Sequence, residues 1–257
     1  MAGSRRTPLV RELPHDMLVE IAARVAATSP HPMEDICSLR ATCRATRGAC
    51  EEGAVGSRVA LEREERMRWL EPDRYLALVG NLAALGNPEA CFVRGLELVF
   101  AAAAEAAVRG GVEWLRRAAT AGHKTAAYVL GVLHYGGDDR QEAERYIRQV
   151  EGEDGGEGGG AQGCEQQAGR KTNRECVRCR TLAVHAVREV TWKVVDGATM
   201  GSVPVPPPEK SCKGGGCDVA EGWNFGCAVF CSDGCRIRHE YSQFFSRVPF
   251  PVDLLVV

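Results

Sequence analysis

Seven cysteines crowd into the sixty residues from Cys176 to Cys235: Cys176, Cys179, Cys212, Cys217, Cys227, Cys231 and Cys235. With His239 they give eight metal-ligating residues, spaced Cys-x2-Cys, Cys-x4-Cys and Cys-x3-Cys-x3-Cys-x3-His. Short spacing lets two thiolates from one tight turn reach an ion about 2.3 Å away, and thiolate with imidazole is a zinc-type donor set. Eight donors suffice for two tetrahedral sites, and a shell of four Cys, or three Cys and a His, leaves no open position for chemistry. The expectation is therefore one or two structural Zn2+ ions. Disulfides are the rival use of these thiols. The opening residues MAGSRRTPLVRELPHD contain no apolar stretch of the secretory type, which points to a reducing compartment, cytoplasmic and/or nuclear, where disulfides are disfavoured. The other five cysteines (Cys37, Cys43, Cys50, Cys91, Cys164) stand singly and read as small apolar residues.

Other chemistries find little support. The chain has no G-x-S-x-G, phosphate loop, G-x-G-x-x-G after a strand, or H-E-x-x-H, and so it reads as a non-catalytic protein. With 32 Lys and Arg against 34 Asp and Glu, its 257 residues lack the basic excess of a nucleic-acid binder. Arg236, Arg238, Lys210 and Lys213 are offset locally by Glu209, Asp218, Glu221, Asp233 and Glu240. No apolar run reaches 18 residues, so neither nucleic acid nor membrane is an expected partner. Aromatic residues make up 6%, which predicts mainly aliphatic cores.

These donors need a scaffold. From residue 11 to 150 the pattern is helical, with breaks at Pro30, Pro32, Pro72, Pro88 and Gly136-Gly137. The stretch EGEDGGEGGGAQGCEQQAGR, from 151 to 170, carries too little apolar surface to fold and reads as a disordered linker. A second soft spot runs from Pro204 to Gly216. Between them LAVHAVREVTWKVV, from Leu182 to Val195, is rich in Val, Thr and Trp, and its alternation predicts a strand or hairpin.

Near the start, Leu18, Ile21 and Val25 recur at helical spacing after Leu13-Pro14, and Leu39-Arg40-Ala41-Thr42-Cys43-Arg44 follows on a second helical stretch. Two or three short helices in under forty residues are too few to stabilise a domain alone. This segment resembles an F-box. The resemblance implies docking on a Skp-type adaptor through Leu13, Pro14, Leu18, Ile21, Leu39 and Cys43, with Arg40 and Arg44 at the rim.

The middle of the chain repeats. Gly86, Ala90, Phe92 and Gly95 match Gly122, Ala126, Tyr128 and Gly131 at an offset of 36 residues, the mark of stacked helix pairs. Gly86 and Gly122 read as left-handed helix caps, and Ala90 and Ala126 as points of close approach. Trp114-Leu115-Arg116-Arg117-Ala118-Ala119 resembles Sel-like tetratricopeptide repeats, and Glu144 to Arg148 starts a further, incomplete copy. Such arrays either present a concave face to peptides or act as spacers.

In the cysteine-rich part, Phe230-Cys231-Ser232-Asp233-Gly234-Cys235 through His239 resembles the second half of a MYND-type zinc finger. That resemblance implies a first site of Cys176, Cys179, Cys231 and Cys235, leaving Cys212, Cys217, Cys227 and His239 for a second. The gap after Cys179 is longer than in that family, and the terminal H-x3-C is absent.

The fold expected is mainly α: an F-box-like module over 11–54, Sel-like/TPR-like repeats over 60–150, a Gly/Glu linker over 151–172, and a small zinc-stabilised α+β module over 173–245. Together the parts resemble plant F-box proteins. They imply a substrate receptor of a cullin-RING, SCF-type ubiquitin ligase that binds a Skp-type adaptor at one end and a target protein at the other. The runner-up is a zinc-binding adaptor or transcriptional co-regulator unconnected with ubiquitylation.

Overall fold

A computed structural model of the chain describes residues 13–101, 105–137, 139–153, 171–191, 217, 219–220 and 228–248. The fold is mainly α, and the chain divides into two compact units that meet in sequence at Cys91 and Phe92. Among the described residues no single helix is long and apolar enough to cross a membrane.

The first unit holds α1 (His15–Thr28), α2 (Pro32–Thr42), α3 (Arg44–Glu51), α4 (Gly53–Gly56), a 3-10 turn (Leu61–Glu64), α5 (Glu65–Leu70) and α6 (Pro72–Ala84). Prolines do what their sequence positions predict: Pro32 and Pro72 open helices, where a missing N–H costs nothing. The core is built of small aliphatic side chains, including Leu18, Ala22, Ala26, Ile36, Ala49, Val55 and Leu61. The F-box-like segment does not stand alone. Ala60 N–H donates to the Ala26 carbonyl (3.0 Å), the Arg63 guanidinium to the Ser29 carbonyl (2.6 Å), and Met33 N–H to the Glu64 carboxylate (3.0 Å). Later residues thus stabilise three short helices that lack a sufficient core of their own.

Helix α7 (Pro88–Leu96) runs from the first unit into the second, continues as a π-helical segment (Glu97–Ala101), and is followed by α8 (Glu105–Thr120), α9 (Lys124–Gly136) and α10 (Arg140–Glu151). The predicted repeat is visible in hydrogen-bond geometry. At the end of α6, Gly86 has φ +81°, and Asn87 N–H reaches back to the Leu82 carbonyl. At the end of α8, Gly122 has φ +90°, and His123 N–H reaches back to the Ala118 carbonyl. Each is a helix stop in which glycine alone takes the left-handed conformation without penalty. The next residue then starts a new helix: Asn87 accepts Ala90 N–H and His123 accepts Ala126 N–H, both at 3.0 Å.

A third copy follows. Gly152 has φ +76° after α10, and Glu153 N–H donates to the Arg148 carbonyl. Asn173 then begins α11 (Arg174–Thr191), its carbonyl accepting Val177 N–H as that of Asn87 accepts Cys91 N–H and that of His123 accepts Ala127 N–H. The incomplete copy expected from Glu144 is thus completed by a helix placed where the sequence suggested a strand or hairpin. The reason is visible in the buried positions Cys176, Cys179, Arg180, Ala183, Val184, Val187 and Thr191, which recur every three or four residues. A helical burial period decides the backbone, and the Val and Thr content yields to it. Residues 192–195 of that expected strand lie outside the described residues, as do 154–170 of the expected linker and the whole of Pro204 to Gly216. The linker's ends belong to elements instead: Glu151 closes α10, and Lys171–Thr172 form a strand.

That strand is β1 (Lys171–Thr172); with β2 (Val219–Ala220) and β3 (Ala228–Phe230) it forms an antiparallel sheet in the order β1-β3-β2. Lys171 stands opposite Phe230, and Val219 opposite Val229. β3 leads into α12 (Asp233–Phe245), which packs on α9 through aromatic rings. Tyr128 and Phe100 both meet Phe244 edge-on, at 5.9 and 6.3 Å, and Tyr135 meets Tyr241 at 5.3 Å. Few as they are, the aromatic residues concentrate here, so the second unit's core is less aliphatic than composition predicts.

Candidate functional site

Cys231 follows directly on β3, and Cys235 lies in the first turn of α12. The helix start between them is fixed by Ser232, whose hydroxyl accepts Cys235 N–H (3.2 Å). A serine in this role caps the helix and fixes where its first turn begins. The Cys231 and Cys235 sulfurs are 3.5 Å apart, and the Cys217 sulfur accepts Cys231 N–H at 3.1 Å. All three sulfurs lie within 4.8 Å of one another. A tetrahedral zinc shell at about 2.3 Å separates its sulfurs by about 3.8 Å, so the trio fits a thiolate-bound metal. Cys217, Cys231 and Cys235 could therefore hold a metal ion.

The pairing differs from the one the MYND resemblance implied. Cys217, expected in a second site, joins Cys231 and Cys235, and Cys176 and Cys179 are not part of the group. The latter two sit on the buried face of α11. Cys176 lies three residues after Asn173, as Ala90 follows Asn87 and Ala126 follows His123, and like those alanines it is fully buried. It fills the small-residue slot of the third helix pair. Burial, with Glu151 and Glu240 nearby, holds the Cys176 thiol well above its usual pKa, and burial pushes Cys179 up to about 11. In this environment both thiols favour the neutral form. His239 stands one turn beyond Cys235 with its ring 5.2 Å from that of Phe230, outside the thiol group. Cys212 and Cys227 lie outside the described residues.

Behind the thiols is a buried polar network that the sequence did not reveal. Glu240, on α12, is fully buried, and its carboxylate accepts from Arg180 (2.8 Å), Tyr128 (3.0 Å) and Asn173 (2.6 Å). Asn173 in turn accepts the Ala228 N–H of β3 (2.7 Å). Burial, then the adjacent Glu240 charge, holds the Tyr128 hydroxyl well above its ordinary pKa. Arg236, also fully buried, donates to Glu153 (2.8 Å), to the Thr172 carbonyl (2.8 Å) and to Asp233 (2.5 Å). Burial opposes the Glu153 charge, but Arg236 and Lys171 outweigh it and lower its carboxyl pKa. The partners of Arg236 and Glu240 lie up to 112 residues away in sequence.

In the first unit, the residues named for adaptor docking divide by exposure. Pro14, Ile21, Arg40 and Arg44 are exposed; Leu13, Leu39 and Cys43 are half-buried. Leu18 is 5% exposed and belongs to the unit's own core, so its methyl groups are not on offer. Met17 takes the outward position instead at 50% exposure, and with Pro14 and Ile21 (42% exposed) it makes an apolar line at intervals of three and four residues. Cys43 serves a local purpose, since its backbone N–H and its sulfur both meet the Thr46 hydroxyl (3.3 and 3.4 Å) at the start of α3. Arg40 pairs with Glu51 at 3.1 Å.

The second unit is a set of stacked helix pairs bearing a thiol cluster, and the first carries an exposed apolar helix line. Residues 66–181 match the sequence family described as plant tetratrico peptide repeats, a span that includes α6 to α10 and enters α11 as far as Thr181. Over 121 residues, 47% of its length, the chain is 32% identical to the Arabidopsis thaliana protein named "Putative F-box protein At1g67623". The chain spans 38% of that relative's length. No solved structure matches the chain.

Proposed function

We propose that the chain is a substrate receptor of an SCF-type ubiquitin ligase. Its first unit docks a Skp-type adaptor joined to a cullin core, and its repeat unit, with a zinc-held thiol cluster, carries a target protein. The carrying observation is the line Pro14, Met17 and Ile21 on α1, apolar side chains turned to solvent within the segment that resembles an F-box. Exposed apolar side chains at helical spacing suit docking against a partner's helices. The similarity to a protein named for an F-box supports the same reading. In this role the chain adds no chemical group to ubiquitin transfer and works by proximity.

Capture of a purified Skp-type adaptor tests it. Wild-type chain retains the adaptor, and the Met17→Asp, Ile21→Asp double variant loses at least tenfold in affinity, since two charges would have to be buried. Equal retention by both, or by neither, overturns the reading. Zinc analysis tests the metal half: one ion per chain on wild type, and none on Cys231→Ser with Cys235→Ser.

A further inference from the structure

The metal-binding turn lies within a closed circuit of contacts. β3 ends at Phe230, next to Cys231, α12 begins at Asp233, two residues before Cys235, and Glu240 sits five residues beyond Cys235 on that helix. Asn173 bridges back, holding Ala228 of β3 with one end of its amide and Glu240 of α12 with the other. The strand before the thiols is therefore tied, through the Asn173 amide, to the buried Glu240 carboxylate of the helix after them. The same carboxylate holds Tyr128 on α9 and Arg180 on α11, the inner helices of the second and third repeats. Phe244, one turn beyond Glu240, meets Tyr128 edge-on. Further out, Asp233 pairs with Arg148 of α10 (3.3 Å) and Arg236 with Glu153 just past its cap.

We propose that the thiol cluster is a metal clasp on the helical-repeat unit, and that a metal on Cys217, Cys231 and Cys235 sets the stability of α9 through the Glu240 carboxylate. This rests on the metal-binding half of the proposed function and adds to it a metal-dependent control of the repeats. Metal binding energy is folding energy for whatever the metal fixes. Here it fixes the β3–α12 junction, and α12 is the terminal layer against which α9 packs. With the clasp open, α12 frays from the repeats and Tyr128 and Arg180 lose their shared acceptor; with it closed, the array is capped. Solenoid arrays need such a terminal cap.

Amide exchange on the full chain, stripped with chelator and then given Zn2+ alone, tests this. Zinc should slow exchange in Lys124–Gly136 at least tenfold and leave Pro32–Thr42 of the first unit unchanged. Glu240→Gln and Tyr128→Phe keep all three thiols and should still bind one zinc, yet lose most of the slowing in α9. If Glu240→Gln fails to fold, Tyr128→Phe decides, because its ring still packs on Phe244. Zinc bound with α9 exchange unmoved, or slowed equally in Tyr128→Phe, overturns the clasp while leaving the metal reading intact. No zinc bound by wild-type chain sinks both.

Discussion

Arg180 lies 2.8 Å from Glu240, and the two side chains are 4% and 0% exposed. Two buried charges on α11 and α12 are joined across the second unit, with a tyrosine and an asparagine completing the carboxylate's shell. Desolvation makes such a pair a modest net contributor when intact, while removing one partner strands the other charge. Arg180→Ala is therefore expected to cost about 3–5 kcal/mol. Arg180→Met combined with Glu240→Leu should cost far less. Urea unfolding of the three proteins checks this, and a double variant as destabilised as Arg180→Ala would show that no stranded charge sets the cost.

The two cap residues 36 positions apart should not be equivalent. His123→Ala removes one cap and should cost about 1 kcal/mol in the second unit's transition. Asn87→Ala removes the same cap and also the donors to the Gly56 (3.1 Å) and Val59 (2.8 Å) carbonyls, which then keep only their single backbone partners, Val59 N–H and Leu61 N–H. It should cost about 2–4 kcal/mol, and in the first unit. Thermal unfolding followed by amide exchange assigns each loss to its unit; an equal cost at both positions would contradict the distinct role of Asn87.

Those caps show where sequence was sufficient. Gly86 and Gly122 were legible because a left-handed stop has a residue requirement, and Pro32 and Pro72 because proline has a positional one. α11 was not legible, since Val, Thr and Trp suggested extended backbone, and only its contacts with the neighbouring helices favour a helix. Cys231 and Cys235 were placed correctly as a pair that could share a metal. Cys176 and Cys179 lie outside the trio of Cys217, Cys231 and Cys235, and a Cys-x2-Cys spacing is also i,i+3 on a helix, so spacing does not separate a metal knuckle from a buried helical face. Glu240 needs partners from two distant stretches of chain, Tyr128 on α9 and Asn173 with Arg180 at α11, and no local pattern announces it.

Alkaline pH should weaken the second unit. The Cys179 pKa is raised to about 11 from an ordinary value near 9, because its burial disfavours thiolate. A raised folded-state pKa means the native chain holds a proton that the unfolded chain releases, so stability is complete below about pH 9 and falls as pH rises toward 11. The slope is about 1.4 kcal/mol per pH unit for one such group. Cys176 shifts in the same direction and adds to it. Denaturation midpoints at pH 8, 9.5 and 10.5 measure the fall, and Cys179→Ala should flatten it. An unchanged slope in that variant would assign the effect elsewhere.

Thiol reactivity should sort the cysteines by environment. A thiolate attacks a sulfur of a small disulfide reagent and displaces its other half as a thiolate, so exposure and ease of ionisation set the rate. Cys37 and Cys231 are exposed, whereas Cys91, Cys176 and Cys179 are buried. In metal-free folded chain, Cys37, Cys231 and the half-buried Cys217 and Cys235 should react within minutes, and the three buried thiols only on unfolding. Added Zn2+ should protect Cys217, Cys231 and Cys235 together, slowing each at least tenfold, while Cys37 keeps its rate. Mass mapping of the modified peptides reads out every site in one experiment. Protection of Cys176 and Cys179 alongside Cys231 and Cys235 would restore the ligand set implied by the MYND resemblance and overturn their assignment as packing residues. Protection of the trio alone would establish that the metal lies at the head of α12, where its charge also favours the ionised thiols that bind it.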